Sequence, residues 1–310
     1  SSKFTKKILE TQEQERIKIA RELHDTVAQQ LKSLQFEADA SKNPKLVEIS
    51  RESIKQIRAI CYNLMPVFDW VRSELKWQAP DGSNCLAYKQ TTVDALDPNK
   101  STLSLPGWDE SYTKEELHTL LERYSAVTAE KLFDNLVYFL SAVIPVCEEA
   151  DVKMAIHPDD PPWSLFGLPR IISNEKGVDR MLAAVNSPYN GLTFCTGSYG
   201  ADKHNDLVKM AAKYAKMGRI HFLHARNIRF ESGEGEPLFF RESAHPTDCG
   251  SLDIYGILKA LYDNGFDGYT RPDHGRNIWG EDGRPGYGLY DRALGACYLN
   301  GLWEAISKSR

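Results

Sequence analysis

Three side chains of metal-ligating type close short apolar runs in this sequence, and a fourth follows a strand entered from a turn. His157 follows Met154-Ala155-Ile156, Cys195 follows Leu192-Thr193-Phe194, and His224 follows His221-Phe222-Leu223. Asp273 stands in Thr270-Arg271-Pro272-Asp273-His274-Gly275-Arg276, after Gly265-Phe266-Asp267-Gly268-Tyr269, a strand entered from a turn. Two imidazoles, a thiolate and a carboxylate form a donor set for one divalent ion. They converge if the runs are neighbouring parallel strands, because the C-terminal strand ends of a parallel α/β barrel open onto one face. His221 competes with His224, but a separation of three residues puts the two on opposite strand faces, and His224 is nearer the strand end. His245, in Glu242-Ser243-Ala244-His245, reads either as a substrate contact or as a loop residue. Arg226 and Arg170 are candidates for a substrate carboxylate, which a guanidinium can bind bidentately; the alternative for each is a surface salt bridge. A lone Cys in a strand is usually a small core residue. Cys195 is set apart by its company, whereas Cys61, Cys85, Cys147, Cys249 and Cys297 are read as structural.

The elements that must position these residues follow from periodicity. From Val152 onward, strands near 152–157, 192–195, 219–224 and 268–273 alternate with helices near 175–187, 204–217, 252–264 and 289–307. Such alternation predicts a parallel sheet. Residues 59–63 supply a fifth strand if they are not the end of a helix. Thr113-Lys114-Glu115-Glu116 is a capping box, and helices are predicted over 113–124 and 128–149. Residues 67–110, rich in Trp, Gly, Pro, Asp and Asn, read as an irregular excursion with short elements.

The first 65 or so residues differ in texture. Ala20, Leu23, Val27, Leu31, Leu34 and Ala38 fall at steps of three and four, as do Leu46, Ile49, Ser53, Ile57, Ile60 and Leu64. Ser41-Lys42-Asn43-Pro44 breaks the pattern between them. This is a helical hairpin, which buries too little apolar surface alone and is expected to dimerise or dock. The expected fold is therefore α/β: a partial TIM-type (β/α) barrel over 61–310, lacking its first β/α units, preceded by an α-helical hairpin over 1–60.

Composition bounds the function classes. The chain has 310 residues, is 42% hydrophobic and 26% charged, and carries a formal net charge of -5. That balance is of an ordinary globular protein and argues against a nucleic-acid-binding surface. No run of about 18 apolar residues suggests a membrane span, and Ser1–Lys7 has no signal-peptide character. Six scattered cysteines without a CxxC pair read as reduced thiols of a cytoplasmic protein.

Two resemblances sharpen this. Residues from about 60 to 310 resemble the mannonate dehydratase family in Cys61-Tyr62-Asn63-Leu64-Met65-Pro66-Val67-Phe68-Asp69-Trp70, His157-Pro158-Asp159-Asp160-Pro161-Pro162, Phe194-Cys195-Thr196-Gly197-Ser198, His224-Ala225-Arg226-Asn227 and Arg271-Pro272-Asp273-His274-Gly275-Arg276. The resemblance implies a TIM-barrel lyase in which His157, Cys195, His224 and Asp273 bind Mn²⁺. It also implies that His274 and Tyr287, with Tyr290 as the alternative to Tyr287, carry protons while D-mannonate loses water to give 2-keto-3-deoxy-D-gluconate. The partner implied is a small-molecule sugar acid, and the expected assembly is a homo-oligomer. The second resemblance covers residues 11–66. Glu15–Leu31 is similar to the phosphoacceptor helix of sensor histidine kinases, which implies phosphoryl transfer at His24, aided by Asp25 and Gln29, with a response regulator as partner. The two resemblances overlap near Cys61–Pro66, as a fusion of two sequences would.

Overall fold

The computed structural model describes residues 71–96, 121–122 and 124–309. The expected hairpin with His24, Asp25 and Gln29, the Cys61–Trp70 stretch and the capping box at Thr113 lie outside them.

The described chain opens with strands β1 (Glu74–Gln78) and β2 (Asn84–Lys89), a hairpin, and a short helix α1 (Gln90–Asp94). Short elements were expected there, and within the described residues they are regular ones. Helix α2 (Ala129–Ala150) leads into β3 (Met154–Ile156), then α3 (Glu175–Ala184), β4 (Asn190–Cys195), α4 (Thr196–Gly200), α5 (Leu207–Lys216) and β5 (Ile220–His224). Two short strands, β6 (Ile228–Phe230) and β7 (Phe239–Glu242), interrupt the alternation before α6 (Ile254–Asp263), β8 (Tyr269–Arg271) and α7 (Leu289–Lys308).

Helix starts obey cap chemistry. The side chains of Thr128, Asn174, Asp206 and Asp253 each accept from a backbone N–H of the first turn. That is why α5 and α6 begin at Leu207 and Ile254, later than periodicity alone suggested.

The strands form two sheets. β3-β4-β5-β8 is parallel throughout, as the alternation predicted, and β1-β2-β7-β6 is antiparallel. Neither β6 nor β7 was anticipated: each is three or four residues long and charged (Arg229, Arg241, Glu242), so neither produces an apolar run.

Strand parity divides the labour in the parallel sheet. Leu192, Phe194 and Leu223 turn into the core with Met181, Met210, Tyr214, Ile257 and Leu261, all buried. The alternate positions, Thr193 and Cys195 on β4, Phe222 and His224 on β5, and Tyr269 and Arg271 on β8, line the other face. Cys195 pairs with His224, and His224 with Arg271, in adjacent registers. The helix-facing side holds the sheet together, which leaves the ligand side available for chemistry.

Candidate metal centre

His157, Cys195 and His224 converge at the strand ends. Each offers a ligand atom, and these atoms lie within 4.8 Å of one another. Asp273 joins them from the loop after β8: its Oδ2 is 3.9 Å from Cys195 Sγ and its Oδ1 is 3.4 Å from His224 Nδ1. His221, the competitor, points elsewhere; its Nδ1 donates to the Met154 carbonyl at 2.6 Å.

The donors are pre-oriented. His157 Nδ1 is 2.8 Å from the Pro158 carbonyl, which can only accept, so the proton sits there and Nε2 remains as the ligating nitrogen. His224 Nδ1 is buried and has no hydrogen-bond partner among the described residues. Burial opposes a Cys195 thiolate, but the Arg226 charge and contacts from His157 and His224 hold the thiol well below its usual range. Desolvation likewise opposes a charge on His157, yet the thiolate and Asp273 raise it to about 9. Asp273 is held well below the carboxylate range against burial, chiefly by His274 and Arg226. The cluster is thus two anions that gather positive charge, with an orphaned imidazole nitrogen among them. A divalent cation fits that donor set.

A buried ionic network lies against the cluster. Arg72 donates to both oxygens of Asp160 at 2.7 and 3.1 Å and to Glu242 at 3.2 Å. Arg226, only 2% exposed, donates to Asp160 Oδ2 at 2.6 Å and to Ser198 Oγ at 3.1 Å. Its other terminal nitrogen is 3.0 Å from His274 Nδ1 and 3.5 Å from Glu242 Oε1. Gly197 makes room for this, since a Cβ there would sit 2.0 Å from Arg226 Nε. Glu242 Oε1 is itself 3.2 Å from His274 Nδ1. His274 Nδ1 therefore stands between a guanidinium that can only donate and a carboxylate that can only accept, and its Nε2 is 3.9 Å from Asp273 Oδ2.

Burial works against the Glu242 charge, but Arg226, His274 and Arg72 bring its carboxyl down to about 2 from the usual 4.5. Asp160 is lowered in the same way by Arg72 and Arg226. Groups with depressed folded-state values stabilise the fold fully above their unfolded values. The network's contribution is therefore present above about pH 4.5 and is lost as pH falls toward 2. Acid titration followed by circular dichroism should show unfolding in that window. Replacing Glu242 with Gln should remove the part of the slope that Glu242 supplies.

The remaining predicted residues are distributed as follows. Tyr287 lies beside His274, with ring centroids 5.7 Å apart, in a loop tied by Gly275 N–H to the Gly286 carbonyl and Gly288 N–H to the Gly275 carbonyl. Burial, then the Asp273 charge, raises its phenol. Tyr290 is 49% exposed and pairs instead with Trp279. His245 is buried, with Nε2 donating to the Pro272 carbonyl at 3.2 Å, and burial lowers its basicity. Arg170 lies 3.8 Å from Asp159, which also accepts from the backbone N–H groups of Ile171 and Ile172. Neither Arg226 nor Arg170 is a surface salt bridge: both side chains are buried. The five described cysteines are free; Cys85, Cys147 and Cys195 are buried, whereas Cys249 and Cys297 are exposed.

Sequence reasoning missed Arg72, Asp160, Ser198, Glu242 and Arg271. Asp160 and Arg271 lay inside quoted motifs, beside residues of more obvious chemistry. Arg72 and Glu242 had no local signal, because their partners are 88 and 32 residues away in sequence.

The model of the D-mannonate dehydratase (UxuA) family matches residues 13–310. The chain belongs to the D-mannonate dehydratase family. It is 52% identical over 280 residues to a mannonate dehydratase of Thermotoga petrophila, covering 86% of this chain and 76% of that protein. It is 54% identical over 263 residues to that of Thermotoga maritima, covering 82% and 72%, and 53% identical over 251 residues to mannonate dehydratase 2 of Halalkalibacterium halodurans, covering 81% and 72%. The solved mannonate dehydratase of Streptococcus suis serotype 2 superposes with a TM-score of 0.67 at 44% identity, covering 79% of this chain; this chain spans 64% of that one. The family match takes in most of the segment read as a phosphoacceptor hairpin, and nothing in these comparisons supports the kinase reading or a fusion. Among the described residues, no helix is long and apolar enough to cross a membrane.

Proposed function

We propose that this chain is a metal-dependent hydro-lyase that converts D-mannonate to 2-keto-3-deoxy-D-gluconate and water. The observation that carries the reading is the convergence of His157, Cys195, His224 and Asp273 at the strand ends of a chain 52% identical to a mannonate dehydratase. These four would hold the divalent ion, Mn²⁺ by family resemblance. Bound there, the ion supplies positive charge against the second negative charge that develops when a proton α to a carboxylate is removed.

The proton chemistry belongs to His274 and Tyr287. His274, its Nδ1 held between Arg226 and Glu242 and its Nε2 on the side of Asp273, is the base for the C2 proton in this reading. Tyr287, its phenol kept protonated by burial, is suited to protonate the departing C3 hydroxyl. The ring of His245 supports the Pro272 carbonyl between the strand and Asp273. The parallel sheet is a sector of a (β/α) barrel in this reading, the 61–310 portion forms the catalytic unit, and the chain works in the cytoplasm as a homo-oligomer.

The test is elemental analysis of the purified chain together with a turnover assay for keto-acid formation. About one divalent ion per chain and keto acid from D-mannonate are expected. Chelation should abolish turnover and manganese should restore it. Metal-free protein that still dehydrates D-mannonate would refute the reading.

A further inference from the structure

An acid substrate needs a cation for its carboxylate, and the two arginines singled out from sequence are committed elsewhere. Arg226 is buried between Asp160, Ser198, Glu242 and His274, and Arg170 is buried beside Asp159. Arg271 is different. It pairs in register with His224, so its side chain lies on the ligand face of the sheet. That side chain is 39% exposed, against 2% for Arg226 and 3% for Arg170.

Its guanidinium is held by two neighbours without being saturated. The guanidinium carbon lies 5.7 Å from the centroid of the Phe222 ring, and the Phe222 ring in turn packs against that of His224. One terminal nitrogen donates to Asp273 Oδ1 at 2.5 Å. Nε is buried without a hydrogen-bond partner among the described residues. Tyr269, on the same face two residues earlier, is 85% exposed, so the approach to Arg271 from solvent is open.

From this placement we infer that Arg271 receives the carboxylate of the sugar-acid substrate. The inference rests on the reading of the centre as a sugar-acid lyase. A guanidinium already touching Asp273 stands beside whatever the four donors gather. A carboxylate there gains charge-assisted hydrogen bonds and loses part of the charge that opposes removal of its α proton. Arg271 is then a determinant of acid over neutral sugar, acting mainly on binding.

The test measures D-mannonate binding by calorimetry on the metal-loaded full chain in a His274→Asn background, in which turnover of the bound acid is slowed. Adding Arg271→Met, which keeps an apolar stem over Phe222, should weaken binding by about tenfold or more, with bound metal unchanged by elemental analysis. Arg271→Lys should recover part of the loss, because the charge returns without the planar fork. Unchanged affinity in Arg271→Met, with the His274→Asn parent binding normally, overturns the inference and leaves the lyase reading intact. Loss of bound metal in both Arg271 variants overturns it in favour of a supporting role toward Asp273. A parent that does not bind D-mannonate at all overturns the sugar-acid reading itself.

Discussion

Cys195→Ala should strip the bound cation and lower D-mannonate turnover by about a thousandfold or more, several kcal/mol of lost charge stabilisation at 1.36 kcal/mol per tenfold. Cys195 is fully buried, and its thiolate is the anion on which Arg226, His157 and His224 converge. Alanine removes both a ligand and that anion, leaving His157 and Arg226 facing each other with less negative charge between them. Two measurements separate the consequences: metal per chain by elemental analysis, and the melting temperature with and without added manganese. Wild-type metal content and turnover in this variant would remove Cys195 from the centre. Cys195→Ser is the milder change, since a hydroxyl keeps the shape but is not a thiolate at neutral pH.

His274→Asn is expected to lower kcat by about 10² to 10⁴, the usual contribution of a positioned acid–base group, while bound metal stays at the wild-type level. The substitution is chosen for what it preserves. An asparagine amide can still donate to Glu242 and accept from Arg226, so the buried network keeps its partners. What it cannot do is take a proton at the position of Nε2, on the side of Asp273. The contrast with Cys195→Ala is the informative part: one variant loses chemistry with its ion in place, the other loses the ion. Steady-state kinetics beside elemental analysis distinguishes them, and an unaltered kcat would assign the base to another residue.

Much of the parallel α/β part of the chain was legible before any coordinates. Three of the four parallel strands announced themselves as apolar runs, because a strand covered by helices on one face must bury residues such as Leu192, Phe194 and Leu223. Those runs ended in residues of metal-ligating type, and parity together with position at the strand end separated His224 from His221. His274 and Tyr287 were named through the family resemblance, and the structure brings their rings to 5.7 Å between centroids.

Tertiary structure decided what depends on partners distant in sequence. No local pattern marks Arg72 or Glu242, whose worth lies in meeting Asp160, Arg226 and His274 across the interior. The β6 and β7 strands that deliver Glu242 are too short and too charged to show a period. Sequence could nominate arginines for the substrate but could not tell which guanidinium is consumed by protein carboxylates and which faces solvent. Burial and hydrogen-bond geometry make that distinction, and they exist only after the chain has folded: Arg226 went inside as part of the scaffold, and Arg271 stayed partly exposed. Residue types in sequence named the donors; only packing decided which of them would have company.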